Sequence, residues 1–171
     1  IHIAHLILAE EALSKLKLDK VMFVPTFIPP HKNVEGGAKP EDRLKMVELA
    51  IRENDAFKVS TFELDSKKKS YSIDTLKEFR RIYGDDAELY FITGSDLLKD
   101  LFSWKNVNEM FKMSKFIVAN RAGYPVEGVP LGAETVVITP IEVSSEDIRK
   151  RIKENRSIRY LVPEKVREYI I

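Results

Sequence analysis

Residues 88–96 read Glu88-Leu-Tyr-Phe-Ile-Thr93-Gly94-Ser95-Asp96. A run of aromatic and β-branched residues that stops on a glycine is the pattern of a buried strand delivered into a loop. Glycine at the stop lets a ligand approach the backbone closely, and the Asp96 carboxylate can accept hydrogen bonds from ribose hydroxyls. Ser95 and Asp96 serve equally well as caps of a following helix. Similar short apolar runs lie on either side and alternate with helical patterns. Upstream, Ala4 to Lys17 carries Leu6, Ala9, Leu13 and Leu16 on one helical face, and a strand follows over Lys20–Pro25. Pro40 opens a helix to about Asn54 that buries Leu44, Val47 and Ile51, and the next strand spans Phe57 to Leu64. Ser72 caps a helix carrying Ile73, Leu76 and Phe79 that stops at Gly84. Downstream, a short helix, the segment around Trp104 and a helix through Met113 precede strands at Lys115–Ala119 and Thr135–Thr139. Ser144 and Ser145 open a helix to about Asn155, and Pro163 opens the last.

This alternation predicts an α/β chain: a doubly wound, Rossmann-like parallel sheet with helices on both faces. Ligands of such sheets sit beyond the carboxyl ends of the strands. The chain has 171 residues, a length suited to one domain over residues 1–171. With 28 Lys+Arg against 27 Asp+Glu, the net charge of +1 argues against a chain that coats nucleic acid. The apolar stretch from Ile1 to Ala9 holds two histidines and is too short to span a bilayer; lacking a basic start, it does not read as a convincing signal peptide. Zero cysteines exclude disulfides, thiolate zinc sites and cysteine nucleophiles, and fit a reducing cytoplasm. The oligomeric state, a homo-oligomer included, stays open.

All three histidines, His2, His5 and His31, fall at strand-to-helix loops. His2 and His5 flank the entry to the first helix, where unpaired amides and the positive end of the macrodipole attract phosphate. Two imidazoles there can donate to a phosphoryl group gathering charge; packing or surface filling is the other reading, and a zinc pair lacks a third ligand. Pro29-Pro30-His31-Lys32 places a cation pair behind a stiffened backbone, or forms a solvated turn. In Val143-Ser-Ser-Glu-Asp-Ile-Arg149, Ser144 and Asp147 have capping-box spacing. Ser145 and the first-turn amides are then available for an anion, and Arg149 offers a forked guanidinium one turn on. A purely structural cap is the plainer reading. Trp104, the single tryptophan, suits core first and cofactor platform second, and Lys67 to Lys69 read as a solvated charge run.

Taken in order, His2-Ile-Ala-His5, Pro29-Pro-His-Lys32, Tyr71-Ser-Ile-Asp-Thr-Leu76, Ile92-Thr-Gly-Ser-Asp96, Ser103-Trp-Lys105, Asn120-Arg121 and Ser144-Ser-Glu-Asp-Ile-Arg149 resemble the H-x-G-H nucleotidylyltransferase superfamily. Within it they look like the bacterial nicotinate-nucleotide adenylyltransferases. The resemblance covers essentially the whole chain. It implies the adenine nucleotide α-hydrolase-like nucleotidylyltransferase fold and the transfer of the adenylyl group of ATP to nicotinate mononucleotide. The products would be the dinucleotide and pyrophosphate, Mg²⁺ arriving with ATP and no other metal site being needed. It further implies that His2, His5 and Arg149 act at the reacting phosphates, with His31, Lys32, Gly94, Asp96, Ser144 and Ser145 on ATP. Ser72, Thr75, Trp104, Lys105 and Arg121 would then meet the mononucleotide, Trp104 by stacking on the pyridine ring. Backbone amides near Trp104 and Ser72 to Thr75 would receive its carboxylate.

Two positions depart from the family pattern. Ala4 stands where H-x-G-H has glycine, which disfavours positive φ at that point. The family also opens with a central strand and a Gly-Gly-x-Phe-Asp-Pro-x-His loop, of which this chain carries the last residue as His2. About ten residues are therefore expected to be missing from the start, leaving two parallel strands without their shared neighbour. Two other activities remain in play: a related pantetheine-phosphate adenylyltransferase or cytidylyltransferase, and a nucleotide-binding module with impaired catalysis.

Overall fold

In the computed structural model, the described residues are 1–29, 37–120, 123–124 and 126–171. The chain runs α1 (Ile3–Lys15), β1 (Val21–Phe23), α2 (Pro40–Ile51), β2 (Phe57–Val59), α3 (Phe62–Ser66), α4 (Ser72–Tyr83) and β3 (Tyr90–Gly94). A 3-10 helix (Ser95–Ser103), α5 (Val107–Met113), β4 (Lys115–Ala119), β5 (Ala133–Val136), α6 (Ser145–Lys153) and α7 (Glu164–Ile170) follow. Every named strand pair is parallel.

β4 shows why the layers form. Its residues alternate between the two faces of the sheet with a period of two. Phe116 and Val118 pack with Ile73, Leu76, Leu101 and Met110 from α4, the 3-10 helix and α5. Ile117 and Ala119 pack with Val136 against Leu8 of α1 and Leu16, its C-cap. Helices therefore cover both faces, and Phe116, Ile117 and Val118 are fully shielded from solvent. Burial of each such side chain contributes about 1.5–3 kcal/mol.

The strands divide into a two-stranded sheet, β1–β2, and a three-stranded sheet, β3–β4–β5. α1 bridges the two sheets: Leu8 and Leu16 face β3–β5, while Leu6, Ala9 and Leu13 pack with Val21, Phe23 and Phe57 of β1 and β2. A fourth cluster, Met46, Ile148, Ile158, Val162 and Val166, joins α2, α6 and α7, and Ile1 packs against it. None of the described helices is long and apolar enough to cross a membrane.

Several boundaries differ from those expected. The segment Phe57–Leu64 is a strand only to Val59; Phe62–Ser66 turns into α3, stopped by Lys67 in the left-handed region at φ 51°. Tyr71, not Ser72, is the N-cap of α4, so Ser72 is the first helical residue. β5 is Ala133–Val136 rather than Thr135–Thr139, because pairing to β4 sets Phe116 opposite Ala133 and Ala119 opposite Val136. On α2 the buried positions are Met46, Val47 and Ile51, with Leu44 half-buried. Ala4 lies inside α1 and is not among the positive-φ residues, so alanine costs nothing there.

Candidate active site

The start of α1 is built by its two histidines. His2 is extended at φ −151° and serves as N-cap, and its backbone N–H donates to Nδ1 of His5 across 3.3 Å. The side chain of the third helical residue thus satisfies the cap's own amide, which is half of a capping box. The two rings lie with centroids 3.8 Å apart, His2 buried and His5 exposed. Ile3 is tied to the C-terminal part of the chain through its N–H, which donates to the Leu161 carbonyl at 3.0 Å.

α6 opens beside this point. Its cluster contact is Ile148, which shares the core with Ile1 and Val143. The Arg149 and Arg43 guanidiniums both lie within electrostatic reach of Ile1. Both arginines therefore act on the residue that precedes His2. Ser144 caps α6, accepting from the Asp147 N–H at 3.1 Å, as its spacing predicts. Asp147 does not return the bond of a full capping box; its carboxylate accepts from Arg151 Nε at 2.7 Å. Ser145 is the first residue of the helix, and Arg149 is exposed one turn further in.

Gly94 ends β3 and Asp96 lies in the first turn of the 3-10 helix. A Cβ at Gly94 would collide with the Asp96 carboxylate, which would have to turn aside; the glycine keeps that carboxylate close to the strand end. Ser95 is buried, and its hydroxyl donates to the Tyr124 carbonyl at 2.9 Å.

Ser72, Trp104 and Lys105 meet elsewhere, in the wall of a cavity of about 660 Å³ that Thr26, Pro29, Glu63, Ser70 and Tyr71 also line. Trp104 stands edge-on to Phe91, with centroids 5.9 Å apart at 84°. Its amide is already used, donating to the Leu101 carbonyl at 3.1 Å. Thr75 is brought near but turned inward: buried, it donates to Glu63 Oε1 at 2.6 Å. Its hydroxyl thus buttresses the cavity from behind. Asn120, next to the strand end of β4, uses its carboxamide on the backbone of Ile138 in both directions. His31, Lys32 and Arg121 lie outside the described residues.

Two residues not foreseen in the sequence shape this region. Glu63 is buried with Oε1 on Thr75, while Oε2 has no hydrogen-bond partner among the described residues. Its burial depends on Thr75 twelve residues later, which no local pattern announces. Arg43 of α2 donates from Nη2 to the carbonyls of Thr26 and Phe27, the latter at 3.0 Å. The Phe27 N–H in turn donates to Ser70 Oγ, and the Ser70 N–H donates to the Ile28 carbonyl, each at 2.9 Å. The loop after β1 is thereby fixed on two sides before it reaches the cavity. Burial holds the Arg43 guanidinium below its ordinary pKa.

Residues 1–151 match the family model described as cytidylyltransferase-like. A probable nicotinate-nucleotide adenylyltransferase of Thermoanaerobacter sp. (strain X514) is 42% identical over 183 residues, spanning 99% of this chain and 86% of the relative. A probable nicotinate-nucleotide adenylyltransferase of Thermus thermophilus is also 42% identical, over 99% of this chain and 90% of its own length. In structure, the chain resembles the nicotinic acid mononucleotide adenylyltransferase of Plasmodium falciparum, solved in complex with NaAD. That comparison has a TM-score of 0.78 and 20% identity, covering 99% of this chain and 88% of the other, and it bears on the fold alone. The chain belongs to the cytidylyltransferase-like family and, within it, to the nicotinate-nucleotide adenylyltransferases.

Proposed function

We propose that this chain transfers the adenylyl group of ATP to nicotinate mononucleotide, giving nicotinate adenine dinucleotide and pyrophosphate. The observation that carries the reading is the presence of two chemically different ends. One gathers His2, His5, the capped start of α6 and the Arg149 guanidinium around Ile1. The other is a cavity walled by the single tryptophan. The first suits phosphates and the second an aromatic ring.

In the reaction, a 5′-phosphate oxygen of the mononucleotide attacks the α-phosphorus of ATP. The bond from that phosphorus to the bridging oxygen breaks, and pyrophosphate leaves with the electron pair. The chain contributes position and charge stabilisation. His2 and His5 donate to the reacting phosphate, and Arg149, with Ser144, Ser145, His31 and Lys32, holds the outer phosphates. Gly94 and Asp96 meet the ATP ribose. Trp104 stacks on the pyridine, with Ser72, Thr75, Lys105 and Arg121 around the mononucleotide. Mg²⁺ enters with ATP and, when bound, neutralises phosphate charge. Such an ion is held chiefly by phosphates and water, so it needs few protein ligands. Among the described residues no group of three or more His, Cys, Asp or Glu is arranged to hold a metal. Residues 1–171 act as one domain, in the cytoplasm, on ATP and nicotinate mononucleotide as partners.

Pyrophosphate release from ATP, compared with nicotinate mononucleotide and with phosphopantetheine as acceptors, tests this. Release with the former alone is expected. Release only with phosphopantetheine, or with neither, contradicts it.

A further inference from the structure

In the proposed reaction the mononucleotide joins two ends of one site. Its ring belongs in the cavity beside Trp104, and an oxygen of its 5′-phosphate must reach the α-phosphorus at His2 and His5. That anion therefore lies between the two ends.

Arg43 of α2 spans the same interval. Met46 and Val47 lie three and four residues further on, and Ile1 packs against the core clusters of both. Residues so spaced share a helix face, which sets Arg43 beside the residue preceding His2, within electrostatic reach of Ile1. On its other side, Nη2 donates to the carbonyls of Thr26 and Phe27, and Thr26 lines the cavity that Trp104 walls.

The charge on Arg43 has no counter-ion in contact. Its Nε is shielded from solvent without a partner, and Nη1 makes no hydrogen bond, among the described residues. No carboxylate forms an ion pair with it among those residues. Asp42 is engaged by the Tyr169 hydroxyl, which donates to it at 2.8 Å, and Glu41 acts on Arg43 through space alone. A cation near the start of a helix also opposes the macrodipole. A half-buried charge that bears both costs, with one nitrogen left over, suits an anion supplied by the ligand.

We propose that Arg43 binds the attacking 5′-phosphate of the mononucleotide. Nη2 stays on the Thr26 and Phe27 carbonyls while Nη1 donates to one phosphate oxygen, leaving another to attack. The planar fork ties the loop after β1 to the acceptor phosphate, which a lysine with its single nitrogen cannot do. Its charge also offsets the repulsion between that phosphate and the triphosphate. This rests on the proposed function and deepens it, naming the residue that places the nucleophile.

The test is calorimetric titration of the full chain, and of its Arg43→Gln and Arg43→Lys variants, with three ligands. These are nicotinate mononucleotide, nicotinate riboside (which lacks the phosphate) and ATP. The wild type should bind the mononucleotide about tenfold or more tighter than the riboside, as one charge-assisted hydrogen bond allows. Arg43→Gln should erase most of that ratio, and Arg43→Lys should lower it about threefold or more. Riboside and ATP affinities should stay within about threefold of wild type in both. A merely structural role would weaken mononucleotide and riboside alike. Such equal weakening, an unchanged ratio, or a larger loss for ATP than for the mononucleotide overturns the proposal. If Arg43→Gln does not fold, the ratio in Arg43→Lys decides alone. Phosphate-dependent binding that is lost in the variants, in a wild-type chain that releases no pyrophosphate, refutes the proposed reaction and supports the assignment of Arg43. Binding of neither mononucleotide nor riboside overturns both.

Discussion

The backbone N–H of His2 donates to Nδ1 of His5 across 3.3 Å, which makes Nε2 the protonated nitrogen of a neutral His5 ring. The helix start therefore orients the exposed imidazole and fixes which of its nitrogens can donate outward. The cap and the proposed donation to phosphate would be two uses of one side chain.

His5→Ala should accordingly lower kcat by roughly two to three powers of ten, with a much smaller change in the KM for ATP. Steady-state kinetics with both substrates varied give the split. A change confined to KM would remove His5 from charge stabilisation.

Trp104→Ala is expected to weaken the mononucleotide far more than ATP. The indole is braced edge-on by Phe91 and belongs to the cavity wall, away from the α6 cap. A stacked ring contributes on the order of 1–3 kcal/mol when removed, or about one to two powers of ten in KM. Equal losses for the two substrates would contradict stacking.

Ser144 and Ser145 are adjacent but should behave differently. Ser144→Ala removes the bond to the Asp147 N–H and should cost about 1 kcal/mol in urea unfolding. Ser145→Ala should stay within about 0.5 kcal/mol in the same experiment and raise the KM for ATP. The reverse assignment would show that the cap has been misplaced by one residue.

Glu11 sets an acid dependence. The hydrogen bond from Lys15, then those from Thr139, lower its pKa to about 2. Lys15 also donates to the Val137 carbonyl at 2.5 Å, so this pair fastens the segment after β5 to α1. A depressed carboxylate pKa contributes stability above the ordinary value of 4.5, and that contribution is lost as pH falls toward 2. Glu11→Gln should therefore have the lower Tm near neutral pH and converge with the wild type at the acid end. Parallel Tm curves over that range would contradict the pairing.

Much of this architecture is legible locally. Lys115–Ala119 is read from the sequence with its observed ends because an unbroken apolar run that is buried on both faces has no competing pattern. The Ser144 cap is equally plain, since its partner is three residues away. What escapes is set by distant partners. Phe57–Leu64 reads as one strand, yet Glu63 turns inward to meet Thr75, and the chain leaves β2 to form α3. β5 takes its register from β4 rather than from its own alternation. Arg43 looks like any helix cation, and only the folded loop shows that it holds Thr26 and Phe27. The motif residues of the site are visible in sequence because their spacing is local. The distance between the α1 start and the cavity at Trp104, on which the proposed phosphate and ring ends rest, is not, because it depends on α1 spanning the two sheets.

Adenylyl transfer is tested most directly by following the α-phosphate. ATP labelled at that phosphorus and incubated with nicotinate mononucleotide and the chain should yield labelled nicotinate adenine dinucleotide, with unlabelled pyrophosphate in equal amount. Label that stays in ATP, or appears in AMP without dinucleotide, would contradict the reaction assigned to this site.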